Sequence, residues 1–105
     1  MIYEITVGSK TMTFDASVRL HSDLQRLEFV LIVETDDFNK GEPRGAFSRN
    51  DFPKNLNGLC DNVFTFFEIE DCINKMKFLK NKFETYYEFQ KDYFIFVEQL
   101  NNLKL

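Results

Sequence analysis

The sequence predicts an α+β fold in which an N-terminal three-stranded antiparallel β-meander packs against one or two long C-terminal α-helices. Three observations lead to this prediction. Residues 1–34 alternate between apolar and polar side chains, residues 35–54 have the composition of a loop, and residues 55–103 follow a mainly helical spacing. The chain has 105 residues, 44% apolar and 29% charged, which suffices for one core. We therefore expect a single domain over residues 1–105.

The first 15 residues predict a β-hairpin. Its two-residue loop is Gly8-Ser9, and a glycine in the first central position favours a type II′ turn. That loop fixes the register of the predicted strand pairs, which are Val7 with Lys10, Ile5 with Met12, and Tyr3 with Phe14. These pairs share an apolar face, and the opposite face of the hairpin is polar.

A third strand is predicted over Leu27 to Glu34. Its odd-numbered residues are apolar, and its other face is half apolar because it carries Val30 and Ile32. A strand that is apolar on both faces is typical of the centre of a sheet or of a position covered by a helix. The short connections between the three predicted strands favour an antiparallel meander.

The second half of the chain changes its period. The loop of residues 35–54 is long for so small a domain, which is typical of a mobile or functional loop. The run 63–67 suits either a helical face or a buried fourth strand, and the sequence leaves both open. Over residues 69–102 apolar side chains recur at steps of three and four, which predicts one long helix or two stacked helices with a break near Asn81.

The termini and cysteines predict a cytoplasmic protein. The N-terminus has neither the basic region nor the apolar core of a secretory signal. The longest apolar run, residues 29–33, is far too short to cross a bilayer, so we expect no membrane association. Cys60 and Cys72 fit no metal spacing and predict buried thiols in a reducing compartment.

The sequence predicts no catalytic residues, no metal and no cofactor, so we expect a protein that is not an enzyme. A nucleophile needs a base, and the single histidine, His21, lies in a predicted turn, whereas Cys60 and Cys72 fall on an apolar helical stripe. The densest acids, at residues 68–71, suit the start of a helix. The chain contains no HExxH, no CxxC, no calcium-binding loop and no glycine-rich phosphate loop.

The net charge of −4 argues against direct binding to nucleic acid, whose phosphates require a basic excess. The predicted loop nevertheless interleaves bases such as Arg44 and Arg49 with Phe38, Phe47 and Phe52, a combination that can stack on bases and contact phosphates. A nucleic-acid-binding module is therefore one alternative function. A small homo-oligomeric ligand-binding module is the other.

Aromatic residues are the most informative feature of the composition, and they concentrate in residues 83–96. On a helix these side chains cannot all face one small sheet. One interpretation is a helix packed on two sides, and another is a helix that exposes aromatic anchors to a protein partner. A homodimer through this helix is the third interpretation.

These observations predict a small acidic protein-binding inhibitor that neutralises a basic, nucleic-acid-acting enzyme by occluding or locking it. Acids would steer the inhibitor to its basic partner and aromatic anchors would hold it there. The expected partner is a nuclease toxin or a nucleic-acid-processing defence complex, so the protein would be a bacterial immunity protein or a phage anti-defence protein of the anti-CRISPR type. The predicted contact residues are Glu34, Asp36, Asp37, Phe38, Glu42 and Phe47, followed on the helix by Tyr86, Tyr87 and Phe89.

Overall fold

One face of a four-stranded antiparallel sheet carries one long helix in the computed structural model, which describes residues 1–103. The strands follow the order β1-β2-β3-β6 across this sheet, and β4 and β5 form a separate small hairpin. The elements are β1 Ile2–Val7, β2 Lys10–His21, β3 Arg26–Thr35, β4 Phe38–Asn39, β5 Glu42–Pro43, a short 3-10 helix Arg49–Asp51, β6 Val63–Phe66 and α1 Ile69–Asn101. The α+β prediction is confirmed, with four strands in the main sheet instead of three.

The register predicted for the first hairpin is confirmed. The predicted pairs form between β1 and β2, from Tyr3 with Phe14 to Val7 with Lys10. Gly8 has a φ of +60°, as the first central position of a type II′ turn requires. Strand β3 lies between β2 and β6, which explains why apolar residues occur on both of its faces.

Residues 63–66 form the fourth strand, which resolves the alternatives that the sequence left open. They pair antiparallel to residues 29–32 of β3. Phe64 points into the core and Thr65 is exposed, so the side chains follow the two-residue period of a strand. Residues 55–62, which the sequence assigned to a mainly helical region, are not helical, because the Asn55 side chain accepts the N–H groups of Asn57 and Leu59 and holds a turn instead.

The long helix is continuous from Ile69 to Asn101, so the break considered near Asn81 does not occur. Its first turn carries Glu70 and Asp71, where acids interact favourably with the helix dipole. The helix residues that pack on the sheet recur at steps of three and four and form one stripe, which comprises Cys72, Met76, Leu79, Phe83, Tyr86 and Tyr87. That stripe meets Met12, Phe14, Leu31, Val33 and Phe64 of the sheet in a single hydrophobic cluster.

An ion pair joins the 3-10 helix to α1. Lys82 Nζ lies 2.5 Å from Asp51 Oδ2, and the Ser48 N–H donates to the same oxygen at 2.8 Å. Asp51 is only 5% exposed. Burial by itself raises the pKa of Asp51, but the hydrogen bonds from Lys82 and Ser48 outweigh it and lower the pKa below its usual range.

We expect Asp51 to make the fold acid-sensitive. Because its pKa is lower in the folded state, its contribution to stability is complete above the unfolded pKa of about 4 and is lost as the pH falls through the folded pKa. Denaturant unfolding between pH 7 and pH 2.5 measures this loss. Asp51→Asn should flatten the acid limb of the stability curve, whereas Asp23→Asn, in the exposed β2–β3 turn, should leave it unchanged. If stability fell equally at low pH in Asp51→Asn and in the parent, Asp51 would not be the cause of the acid sensitivity.

The helix is longer than the sheet that supports it. The last buried residue of α1 is Tyr87, and residues 88–101 continue for about 20 Å at 1.5 Å per residue. The molecule therefore measures 69 × 29 × 17 Å. Its radius of gyration is 17.5 Å, against about 13 Å for a compact chain of this length. We name residues 88–101 the overhang.

Candidate protein-binding site

The overhang places large apolar side chains in solvent. Six of them are between 46% and 68% exposed, and they are Phe89, Tyr93, Phe94, Ile95, Phe96 and Leu100. The chain contains neither glycine nor proline after residue 58, so nothing in the sequence interrupts the helix that holds these side chains. Large exposed apolar patches are uncommon on soluble monomers and mark interaction surfaces.

Most of these side chains form one seam along the overhang. Tyr86, Phe89, Tyr93, Phe96 and Leu100 follow one another at steps of three and four residues. This 3.5-residue period is the pattern by which one helix packs against another. The seam meets the stripe that packs on the sheet at Tyr86 and then follows an adjacent side of α1. At about 100° per residue, the stripe itself would continue through Gln90, Phe94 and Val97.

Acidic side chains outnumber basic ones in the half of α1 that carries this seam. Residues 84–101 contain four acids and one lysine, namely Glu84, Glu88, Asp92 and Glu98 with Lys91. Earlier in the helix the balance is reversed, since four lysines lie within residues 75–82. Glu84 forms an i,i+4 pair with Lys80 at 2.7 Å where these two regions meet. The C-terminal half of α1 therefore combines aromatic anchors with a negative potential.

A buried hydrogen bond fixes the base of the overhang. The Tyr87 hydroxyl donates to the Asp37 carboxylate at 2.6 Å, and the Ala46 N–H donates to Asp37 Oδ2 at 3.1 Å. Burial raises the pKa of Tyr87, and the carboxylate of Asp37 raises it further, so the phenol stays protonated as the donor. Gly45 makes room for this contact, because a Cβ at that position would lie 2.7 Å from the carboxylate.

Three of the predicted contact residues are structural in this arrangement. Asp37, Phe47 and Tyr87 are 5%, 5% and 8% exposed, so they cannot reach a partner in this conformation. Asp37 binds Tyr87, and Phe47 packs against Phe52 and Phe83 with ring centroids 5.6 and 6.4 Å apart. The alternation and composition of the sequence could not show that these three residues are buried, because the residues that cover them are distant in the chain.

The other predicted contact residues remain accessible to different degrees. Glu34, Asp36, Glu42 and Phe89 are exposed, whereas Phe38 and Tyr86 are half-buried. Glu42 pairs with Arg49 at 3.1 Å, which neutralises part of its charge. Phe89 is therefore the accessible aromatic anchor of the predicted set. Glu34 and Asp36 are exposed acids of the same set.

The predicted contact residues include Phe89 but omit four other exposed apolar side chains of the overhang. Tyr93, Phe94 and Leu100 belonged to the predicted helical pattern and Phe96 to the aromatic-rich residues 83–96, but none of the four was among the predicted contact residues. One signal could have found them: a helix over residues 69–102 is about 50 Å long, whereas the predicted third strand, Leu27 to Glu34, spans about 26 Å. A helix that much longer than its support has to extend into solvent.

The loop aromatics do not form the predicted base-stacking surface. Phe47 and Phe52 are in the core, and Phe38 packs on Phe52 at 4.8 Å. The arginines of the same loop make internal contacts, since Arg49 pairs with Glu42 and Arg44 Nε donates to a backbone carbonyl at 2.8 Å. The mixture of bases and aromatics that suggested nucleic-acid binding therefore serves the fold.

The residues considered for catalysis are also engaged in the structure. His21 Nδ1 accepts the Leu24 N–H at 3.2 Å, and its ring meets Phe67 edge-on. Burial raises the pKa of Cys72, which disfavours the reactive thiolate. Within residues 1–103, no three His, Cys, Asp or Glu side chains converge on a position that could hold a metal ion, and no helix is long and apolar enough to cross a membrane.

Comparisons with protein-family models, with curated proteins and with solved structures find no match to this chain.

Proposed function

We propose that this protein is an inhibitor that binds a basic, nucleic-acid-acting enzyme and presents the overhang to it as a helical ligand. The observation that supports this proposal is the exposure of Phe89, Tyr93 and Phe96, which are 68%, 55% and 59% exposed on a continuous helix flanked by acids. Aromatic side chains are enriched in the cores of protein interfaces and among the residues that contribute most to binding. They also lose little entropy here, because the helix holds their backbone before binding.

The binding mode that fits this geometry is a helix in a groove. Such ligands anchor themselves through residues at steps of three, four and seven, and Phe89, Tyr93, Phe96 and Leu100 have that spacing. A cleft that holds nucleic acid is lined by lysine and arginine. The acids of the overhang, together with Glu34 and Asp36, would steer the inhibitor to such a cleft and raise its association rate.

A helix seated in that cleft would exclude the nucleic acid, so inhibition would follow from occlusion. Two biological settings use such a protein: a bacterium that protects itself from a nuclease toxin, and a phage that disables a nucleic-acid-processing defence complex. The gene neighbourhood separates them, since an adjacent toxin gene favours immunity and adjacent phage genes favour anti-defence.

Capture of the partner should depend on the overhang and on salt. The tagged protein is incubated with extract of the cells that encode it or are infected by its phage, and bound proteins are identified by mass spectrometry at about 0.05 and 0.5 M salt. We expect one basic protein or complex, captured more slowly at high salt because screening weakens steering. Phe89→Ser with Phe96→Ser should lower affinity for that partner by more than tenfold, as loss of two aromatic anchors does.

The matched control removes two exposed apolar side chains elsewhere. Leu24→Ser with Leu56→Ser changes residues that are 56% and 105% exposed and belong to loops far along the chain from the overhang. This control should capture as the parent does, and the partner's action on nucleic acid should fall when the parent is added. Equal capture by both double variants would refute the proposed role of the overhang, and a partner that keeps its activity would refute inhibition.

A further inference from the structure

A second unpartnered apolar surface lies on the sheet, beside the first half of α1. Four strands about 4.8 Å apart need about 15 Å of cover, whereas one helix is about 10 Å wide. A groove of about 680 Å³ remains between the helix and strands β1 and β2. Its apolar lining includes Tyr3, Phe14, Val18, Ile69, Ile73 and Met76. The sheet thus has room for a second helix, which residues 1–103 do not supply.

The charge around this groove is opposite to that of the overhang. Lys77 and Lys80 line it, Lys80 is also paired with Glu84 at 2.7 Å, and Glu4 is the one acid among its described lining residues. The overhang carries three acids and one lysine. An acidic apolar helix therefore fits this groove better than a basic one.

The monomer exposes more surface than a folded monomer of the same mass usually does. The chain exposes 7606 Å², whereas a folded monomer of its 12.5 kDa mass exposes about 6,200 Å². The excess of about 1,400 Å² exceeds the roughly 800 Å² that each partner contributes to an interface of standard size. A monomer with this much additional surface leaves both the groove and the overhang in water.

We propose that the overhang of a second copy of this chain fills the groove, and that the two copies exchange overhangs reciprocally. The lengths agree, because the groove follows residues 69–80 of α1 for about 17 Å and the overhang is about 20 Å long. The two α1 helices then lie antiparallel, and each sheet is covered by the first half of its own helix and by the overhang of the other copy.

This arrangement closes on itself, as a two-fold dimer must. Both contacts are identical, and each pairs an acidic overhang with a lysine-rimmed groove. An aromatic side chain buries about 150–250 Å², so the exposed parts of four overhang side chains contribute about 500 Å² per copy. With the groove surfaces opposite them, two contacts bury about 2,000 Å², which is the area of a stable interface. The dimer hides the overhang, so a target protein has to displace the second copy.

Light scattering or sedimentation measures the predicted dimer directly. The parent should have twice its 12.5 kDa chain mass at micromolar concentration. Ile73→Glu places a charge at the groove, on a residue that is already 43% exposed, and should weaken the dimer by more than tenfold. Asn74→Glu adds the same charge on the neighbouring exposed residue, which does not line the groove, and should leave the dimer intact. Circular dichroism verifies that both variants fold.

Mixing two defective variants distinguishes this dimer from one in which two overhangs pair with each other. Phe94→Glu impairs the overhang and Ile73→Glu impairs the groove, so a mixture retains one intact contact and should form a heterodimer that neither variant forms alone. A parent that stays monomeric at 100 µM would overturn the inference, and so would an Ile73→Glu variant that dimerises normally. If the parent is monomeric but still captures its target, only the proposed dimer is refuted. If the parent dimerises but captures no target, only the proposed function is refuted.

Discussion

Replacing Phe83 by alanine is expected to lower the free energy of unfolding by about 3–5 kcal/mol, the range for removing a buried aromatic ring. Phe83 is 1% exposed and belongs to the hydrophobic cluster that joins α1 to the sheet. Its ring packs against Tyr87 at 5.0 Å and against Phe47 at 6.4 Å, so it joins the helix to the long loop. Its loss leaves a cavity where three elements meet, and urea denaturation measures the cost.

Phe89 provides a control of the same residue type on the same helix. It is 68% exposed, so Phe89→Ala should change stability by no more than about 0.5 kcal/mol. The comparison is made at a concentration low enough for the chain to be monomeric, because Phe89 belongs to a proposed interface. Equal losses for Phe83→Ala and Phe89→Ala would show that the overhang packs within the monomer, contrary to the structure.

Asp37→Ala should cost about 2–4 kcal/mol, although a lone surface aspartate costs almost nothing to remove. The carboxylate accepts the Tyr87 hydroxyl and the Ala46 N–H inside the protein. Each buried donor left without a partner costs about 1–3 kcal/mol. Asp36→Ala is the matched control, because the adjacent carboxylate is exposed, and it should lie within about 0.5 kcal/mol of the parent.

A double-mutant cycle separates the hydrogen bond from other effects of these changes. Asp37→Ala and Tyr87→Phe remove the two sides of one contact, so their costs should not add, and the coupling should lie within 0.5–3 kcal/mol. Additive costs would mean that the two side chains act independently. Such a result would contradict the hydrogen bond, and Asp37 and Tyr87 would again be candidates for contact with a partner.

The first hairpin and the class of the fold could be predicted from the sequence because they depend on local chemistry. A two-residue loop with Gly8 in its first central position permits one register, and alternation then assigns each side chain to a face. The helical spacing after residue 69 is equally local, since it reports only the period of the apolar stripe. These features need no knowledge of what lies across the sheet.

The candidate site could be predicted only in part, because exposure depends on what packs against a residue. Tyr86, Tyr87 and Phe89 are similar in sequence terms, yet Tyr87 is buried against Asp37 and Phe89 is in solvent. The run 63–66 has the composition of a strand or a helix, and pairing with β3 decides for the strand. Composition does not distinguish Glu34 and Asp36, which are proposed to steer a partner, from Asp37, which is buried and binds Tyr87 and the loop residue Ala46.

The sequence by itself determined the hairpin register, the helical period and the negative charge of the C-terminal half of the helix. Only the tertiary structure decided that the sheet supports the helix as far as Tyr87 and leaves residues 88–101 and the β1–β2 face uncovered. The physical reason is that a period specifies which side of a helix is apolar, whereas burial requires a second surface. How far that surface extends is set by contacts between residues distant in the chain.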